Sequence, residues 1–148
     1  MARIYSQTST KPRRVTRVAS NLPQTTAGAL YTVSGGKCIV EIIGEVTTVI
    51  EAGANNMKLT ANATVGASVD LCTILDIDTD AVGTFYHLTG TLTDALVETT
   101  SGAGESQSTG LIVAPGTIDL DCDASKTGQI KWVLFYIPID QGAKIVAV

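Results

Sequence analysis

Apolar and polar positions alternate with a period of two along much of this chain. In residues 38–50 the even-numbered positions are mainly apolar, whereas Glu41, Glu45 and other polar residues stand at odd-numbered positions. This pattern predicts a β-strand that turns one face toward a core. Three apolar residues interrupt the polar face, namely Ile39, Ile43 and Val49. Gly44, within the same strand, is expected to mark a bulge or a bend.

Further strands are predicted wherever short apolar runs lie between glycine-rich or polar turns. They cover residues 57–60, 68–80, 83–89, 95–99, 111–113, 117–122, 129–137 and 143–148. Residues 99–110 are mostly serine, threonine and glycine, which predicts an exposed loop. An all-β fold is therefore predicted, with any helix limited to one or two turns.

The predicted strand over residues 129–137 differs from the others because both of its faces are apolar. One face includes Trp132, and the other holds Val133, Phe135 and Ile137. A strand that is apolar on both faces needs cover on both. The second face is covered either within the monomer or by another subunit. We take Val133, Phe135 and Ile137 as candidate residues of an oligomer interface.

The composition supports this fold class. Valine, isoleucine and threonine make up 48 of the 148 residues, and their branched side chains favour pleated sheets over helices. The length fits a single domain. We therefore predict a compact antiparallel β-barrel or sandwich formed by residues 29–148, preceded by an extended N-terminal arm.

The charge of the chain is divided unevenly along its length. Five cations, Arg3, Lys11, Arg13, Arg14 and Arg17, lie within the first 20 residues, and no acid occurs in the first 40. The remainder carries five lysines and fourteen acids. Residues 1–28 are thus predicted to be an extended basic arm that orders on a partner. We expect these five cations to bind that partner, and the arm to be dispensable for folding.

The lack of a recognisable targeting signal and the number of cysteines predict synthesis in a cytoplasm. No run of about eighteen apolar residues exists, which excludes a membrane-spanning helix. The basic N-terminus lacks the apolar segment of a secretory signal. Three cysteines cannot all pair within one chain, and a reducing compartment is expected at synthesis. Cys38 and Cys122 share parity with apolar neighbours and are expected to be buried, whereas Cys72 is expected to be more exposed.

Candidate chemistry is sparse in this sequence. His87, the single histidine, lies among apolar neighbours without a nucleophile motif, and is interpreted as structural. Two acid ladders, residues 76–80 and 119–123, carry aspartate at every second position. They lack the further ligands of a calcium loop and are interpreted as solvated strand faces. We therefore predict no catalytic residue, no metal site and no cofactor, and we do not expect an enzyme.

Nucleic acid is a disfavoured partner for this chain. Five clustered cations could contact phosphates, but the acidic remainder of the chain repels the same polyanion. No aromatic-lined groove for bases is visible in the sequence.

Three stretches together resemble the head decoration, or cement, proteins of tailed bacteriophages. They are Asn-Leu-Pro-Gln-Thr-Thr at 21–26 followed by Leu-Tyr-Thr-Val-Ser-Gly-Gly at 30–36, the segment 40–50 with Gly-Glu-Val-Thr-Thr, and residues 127–143 with Thr-Gly-Gln-Ile-Lys-Trp and Ile-Pro-Ile-Asp-Gln-Gly-Ala. The resemblance rests on strand and turn texture and contains no motif that names contact residues.

This resemblance implies a structural virion protein that lies on the outer capsid surface. It implies a β-rich body that forms a homotrimer, and an arm that binds the major capsid protein and stabilises the capsid. The alternatives are a phage tail or fibre component, or a β-sandwich carbohydrate-binding module. Arg13, Arg14 and Arg17 are then expected to meet carboxylates of another chain, either capsid protein or the 119–123 ladder of an adjacent copy.

Overall fold

The computed structural model describes residues 11–148 and folds them into β-strands joined by turns, without a helix. The strands are β1 (Arg13–Asn21), β2 (Gly28–Ser34), β3 (Cys38–Thr48), β4 (Asn56–Ala63), β5 (Val69–Asp70), β6 (Leu75–Asp76), β7 (Phe85–His87), β8 (Val97–Thr99), β9 (Leu111–Val113), β10 (Gly116–Cys122), β11 (Gln129–Pro138) and β12 (Lys144–Ala147). The predicted all-β fold class is confirmed.

The strands form two antiparallel sheets that pack together as a sandwich. Sheet A has the order β1-β11-β3-β7-β8, with β9 also paired to β3. Sheet B has the order β12-β2-β10-β4-β5, with β6 also paired to β4. Each sheet has open edges, so the sandwich and not the closed barrel is the architecture of this chain.

The core lies between the sheets and follows the predicted alternation. In β3 the even-numbered positions Val40, Ile42 and Val46 are buried, and in β11 the buried side chains include Trp132 and Leu134. Sheet B contributes a matching set of buried side chains, among them Tyr31, Val33, Met57, Leu59, Ile118 and Leu120. The side chains on the inner face of each strand, at every second position, therefore pack between the two sheets and hold them together.

Gly44 serves packing, and the expectation of a bulge there is wrong. The register between β3 and β11 runs without a shift through Trp132 and Gly44. A Cβ at residue 44 would lie 2.7 Å from Cζ3 of Trp132. Glycine is therefore required because the indole ring occupies the space that a side chain would need.

The predicted strand over residues 68–80 is divided into two short strands. Both β5 and β6 pair with β4, but the chain between them leaves β4. There, Thr73 forms a bridge to Ala95, and its N–H donates to the carbonyl of Asp94 at 2.7 Å. The expectation that Cys72 is more exposed is wrong for the same reason, because the detour turns this thiol inward to 1% exposure.

Part of the predicted N-terminal arm belongs to the sandwich. Residues 13–21 form β1, which pairs with β11 along its length, and Leu22 is 3% exposed in the core. Residues 28–34 form β2 in the other sheet. The predicted boundary at residue 28 is thus wrong for this stretch, because β11 offers β1 a free row of backbone hydrogen-bonding groups. Arg3 and the rest of residues 1–10 lie outside the described residues.

Candidate functional site: the basic edge strand and the outer face of its sheet

Strand β1 holds the three arginines Arg13, Arg14 and Arg17 at the edge of sheet A, where it pairs with β11. Successive residues of a strand point to opposite faces. Arg14 therefore lies on the outer face beside Phe135, whereas Arg13 and Arg17 lie on the side of the core. The three arginines have different surroundings, which their sequence spacing alone did not indicate.

Arg17 is half-buried at the rim of the core. Its guanidinium donates a hydrogen bond to the hydroxyl of Ser20, while its Nε is buried without a partner among the described residues. It lines a cavity of about 120 Å³ together with Leu30, Trp132 and other apolar side chains. Arg17 is thus placed differently from Arg13 and Arg14, although all three are expected to meet carboxylates of another chain.

Arg13 and Lys11 are exposed at the start of the described chain. The guanidinium carbon of Arg13 lies 6.0 Å from the ring centre of Tyr136, which is a cation–π distance. This contact holds Arg13 against the sheet while leaving its charge open to solvent. Lys11, Arg13 and Arg14 together form a group of exposed cations, here called the basic edge.

The outer face of sheet A is largely apolar. Val133, Phe135 and Ile137 of β11 are half-buried there. Beside Ile137, the cross-strand partners Ile39 and Ile112 are 36% and 66% exposed. Ile39 is a signal for this patch in the sequence, because it is one of the apolar residues that interrupt the polar face of its strand. Ile112 joins the patch only because β9 pairs with β3, and the sequence pattern does not predict this pairing.

The outer face of sheet B is polar by contrast. Thr60 stands opposite Asp119 on β10 and opposite Asp70 on β5. The ammonium group of Lys58 lies 2.9 Å from the carboxylate of Asp70, and this pair lowers the pKa of Asp70 below its usual value. The two outer faces therefore differ in kind, and sheet A presents the one suited to burial.

Three aspartates of the acid ladders hold turns of the backbone. Carboxylate oxygens of Asp76, Asp78 and Asp123 accept hydrogen bonds from the backbone N–H groups of residues 55, 53 and 56, at 2.9, 2.7 and 2.8 Å. Hydrogen bonds from the side-chain amide and then the backbone N–H of Asn56 lower the pKa of Asp123. Within residues 11–148 no group of three or more potential ligands is arranged to hold a metal ion.

His87 and the three cysteines are buried. Nδ1 of His87 lies 2.9 Å from the carbonyl oxygen of Leu88, and its ring borders a mainly apolar cavity of about 250 Å³. Burial raises the pKa of all three thiols, to about 12 for Cys122. A thiol with a raised pKa is a poor nucleophile, so Cys38, Cys72 and Cys122 act as small apolar core residues.

Comparison with known proteins gave no neighbour, since no family model, no curated protein and no solved structure matches this chain. Over the stretch that the structure describes, no helix is long and apolar enough to cross a membrane.

Proposed function

We propose that this protein is a structural virion protein of a tailed bacteriophage that decorates the outer surface of the capsid. It is made in the host cytoplasm and attaches to the major capsid protein through its basic N-terminal residues, Arg3 among them. The observation that carries this proposal is the basic edge on an otherwise acidic chain. Long-range electrostatic attraction draws the basic edge to an acidic surface. The acidic remainder of the chain is repelled by the same surface, which orients the protein.

The geometry of the basic edge supports attachment in a defined orientation. Lys11, Arg13 and Arg14 lie together where the described chain enters sheet A, so their charges are presented from one edge of the body. Pairing with β11 holds Arg13 and Arg14 in place before binding, which reduces the entropy lost on contact. Attachment through several weak contacts becomes tight when one body carries more than one copy of them.

An oligomeric body is part of the same proposal. The apolar outer face of sheet A is wider than scattered surface apolar residues explain, and such a patch marks an interaction surface. The resemblance to decoration proteins implies three copies per body. Repetition of the basic edge within an oligomer would multiply its contacts with a capsid of repeated subunits.

Copy number on purified virions tests this function. We expect quantitative mass spectrometry of virions that carry this protein to find hundreds of copies per particle, and isolated heads to retain them. A few copies that remain with isolated tails would instead support the tail or fibre alternative. Absence from both fractions would reject a virion role, and a glycan-binding screen would then address the carbohydrate-binding alternative.

A further inference from the structure

We propose that the outer face of sheet A pairs with the same face of a second copy, about a two-fold axis that runs along β11 above Phe135. This pairing deepens the proposed function by naming the self-association surface. It gives a body of two copies in place of the three that the resemblance implies, and it leaves Lys11 and Arg13 of the basic edge for the capsid. It does not depend on attachment to a capsid.

The cross-strand register places two opposite charges on either side of one aromatic residue. Phe135 pairs with Arg14 on one neighbouring strand and with Glu41 on the other. Residues paired across antiparallel strands share a face, so the three side chains form one row. Strands lie about 4.8 Å apart, which separates Arg14 from Glu41 by about 10 Å.

Apolar rows flank this charged row on both sides. On one side Ile137 pairs with Ile39, which pairs in turn with Ile112. On the other side Val133 pairs with Ile43. The outer face therefore has an apolar centre crossed by a row that is positive at the β1 end and negative at the β3 end.

Symmetry decides which arrangement this charge pattern permits. A two-fold axis parallel to β11 lays β1 of each copy across β3 of the other, so Arg14 of one copy meets Glu41 of its partner twice. An axis across the strands would place Arg14 on Arg14 and Glu41 on Glu41. Only the first arrangement joins opposite charges while burying Phe135 against Phe135, which is the self-complementarity that an isologous interface requires.

The size of the patch sets the strength of the pairing. Four strands at about 4.8 Å and a few residues at about 3.3 Å give roughly 300–400 Å² per copy. Stable interfaces bury about 800 Å² per partner. We therefore expect weak association, with a dissociation constant above about 10 μM, which a crowded particle surface would strengthen through high local concentration.

A charge exchange tests the pairing. In sedimentation equilibrium of the full chain between about 10 μM and 1 mM, we expect the mean mass to rise from 15.4 kDa toward twice that value. Arg14→Glu or Glu41→Arg should each weaken association about tenfold, because both contacts of the pair become repulsive. The double variant should restore it. Lys144→Glu, an exposed charge reversal on sheet B, is the matched control and should leave association unchanged.

Four results would overturn the pairing. They are a wild-type mass that stays at 15.4 kDa, a mass that approaches three copies, a double variant that fails to recover, and association that appears only after deletion of residues 1–10. The last result would mean that the N-terminal segment of the chain itself occupies the face. Circular dichroism of each variant checks that the fold is kept, since Arg14 is exposed and Glu41 is only half-buried.

Discussion

The contact between Trp132 and Gly44 leaves no room for a side chain on β3 at this position. Gly44→Ala would place a methyl group 2.7 Å from a buried indole ring. We expect the free energy of unfolding to fall by about 1–3 kcal/mol, because the core must shift to accept the extra atom. Urea denaturation measures the change.

Gly102→Ala is the matched control for this substitution. A Cβ at residue 102 meets nothing within 4 Å, so the change should stay within about 0.5 kcal/mol. Equal losses in the two variants would show that the Trp132 contact is not the reason for glycine at residue 44.

Glu98 predicts a pH dependence of stability. Its partial burial and the nearby charges of Asp80 and Asp76 raise the pKa of this carboxyl above its usual value. The folded state therefore binds the proton more tightly than the unfolded chain. The contribution of this proton to the free energy of unfolding is complete below the usual glutamate pKa. It is lost as the pH rises through the raised pKa of the folded state.

We expect Glu98→Gln to remove the loss of stability that ionisation of Glu98 causes as the pH rises. The difference in melting temperature between Glu98→Gln and the wild type should grow in favour of the variant from about pH 4 to pH 7. Because Glu98 is only partly buried and still open to solvent, the gain in stability should be small. Thermal unfolding at the two pH values measures it, and a difference that does not change with pH would exclude a raised pKa.

The pattern of single residues predicted which side chains enter the core along the long strands, since burial there follows parity. It failed at Cys72 and Gly44, where position depends on contacts distant in sequence. The detour of residues 71–74 toward 94–96 turns Cys72 inward, and Trp132 on another strand determines the glycine. Such contacts have no local signature in the chain.

Strand β1 shows why one element was missed. Its core-facing positions alternate Arg13, Val15 and Arg17, so the inner face does not read as apolar. The aliphatic stem of an arginine can cover apolar surface while its head stays near water, and Tyr136 and Trp132 lie opposite these arginines. The β-branched residues within 15–18 were the available sequence signal for this strand. In β3 and β11 the apolar alternation alone predicts the strand.

Removal of β1 should therefore harm the fold. Deleting residues 1–22 takes away every cross-strand pair between β1 and β11 and the buried Leu22. We expect a loss of several kcal/mol, since truncating a buried leucine to alanine alone costs about 2–5 kcal/mol. The newly open edge of β11 should also promote aggregation.

Thermal unfolding and light scattering of the truncated chain check this. Leu22→Ala separates the loss of a core side chain from the loss of the strand, and should be milder than the deletion. An unchanged melting temperature and a monodisperse solution of the truncated chain would return these residues to the status of a dispensable arm.

The two outer faces of the sandwich differ in chemical character. Sheet B presents Thr60, Lys58 and Asp70 on its outer face, while sheet A presents an apolar patch next to the basic edge. The sequence predicted an antiparallel β-barrel or sandwich and the uneven distribution of charge. It could not predict that the cations of β1 and the apolar side chains of β11 share one sheet, because this depends on strand order.

The dependence of attachment on salt tests the central claim most directly. Lys11→Gln/Arg13→Gln removes two charges of the basic edge and leaves Arg14 in place. Lys37→Gln/Lys144→Gln removes two exposed charges elsewhere. Binding of each variant to heads that lack this protein is measured over a range of salt concentrations.

We predict that wild-type binding weakens with salt, since screening shortens the reach of exposed charges to about 8 Å at physiological ionic strength. The Lys11→Gln/Arg13→Gln variant should bind more weakly and show a flatter salt dependence, while the control keeps the wild-type behaviour. A Lys11→Gln/Arg13→Gln variant with the wild-type affinity and the wild-type salt slope would contradict attachment through the basic edge.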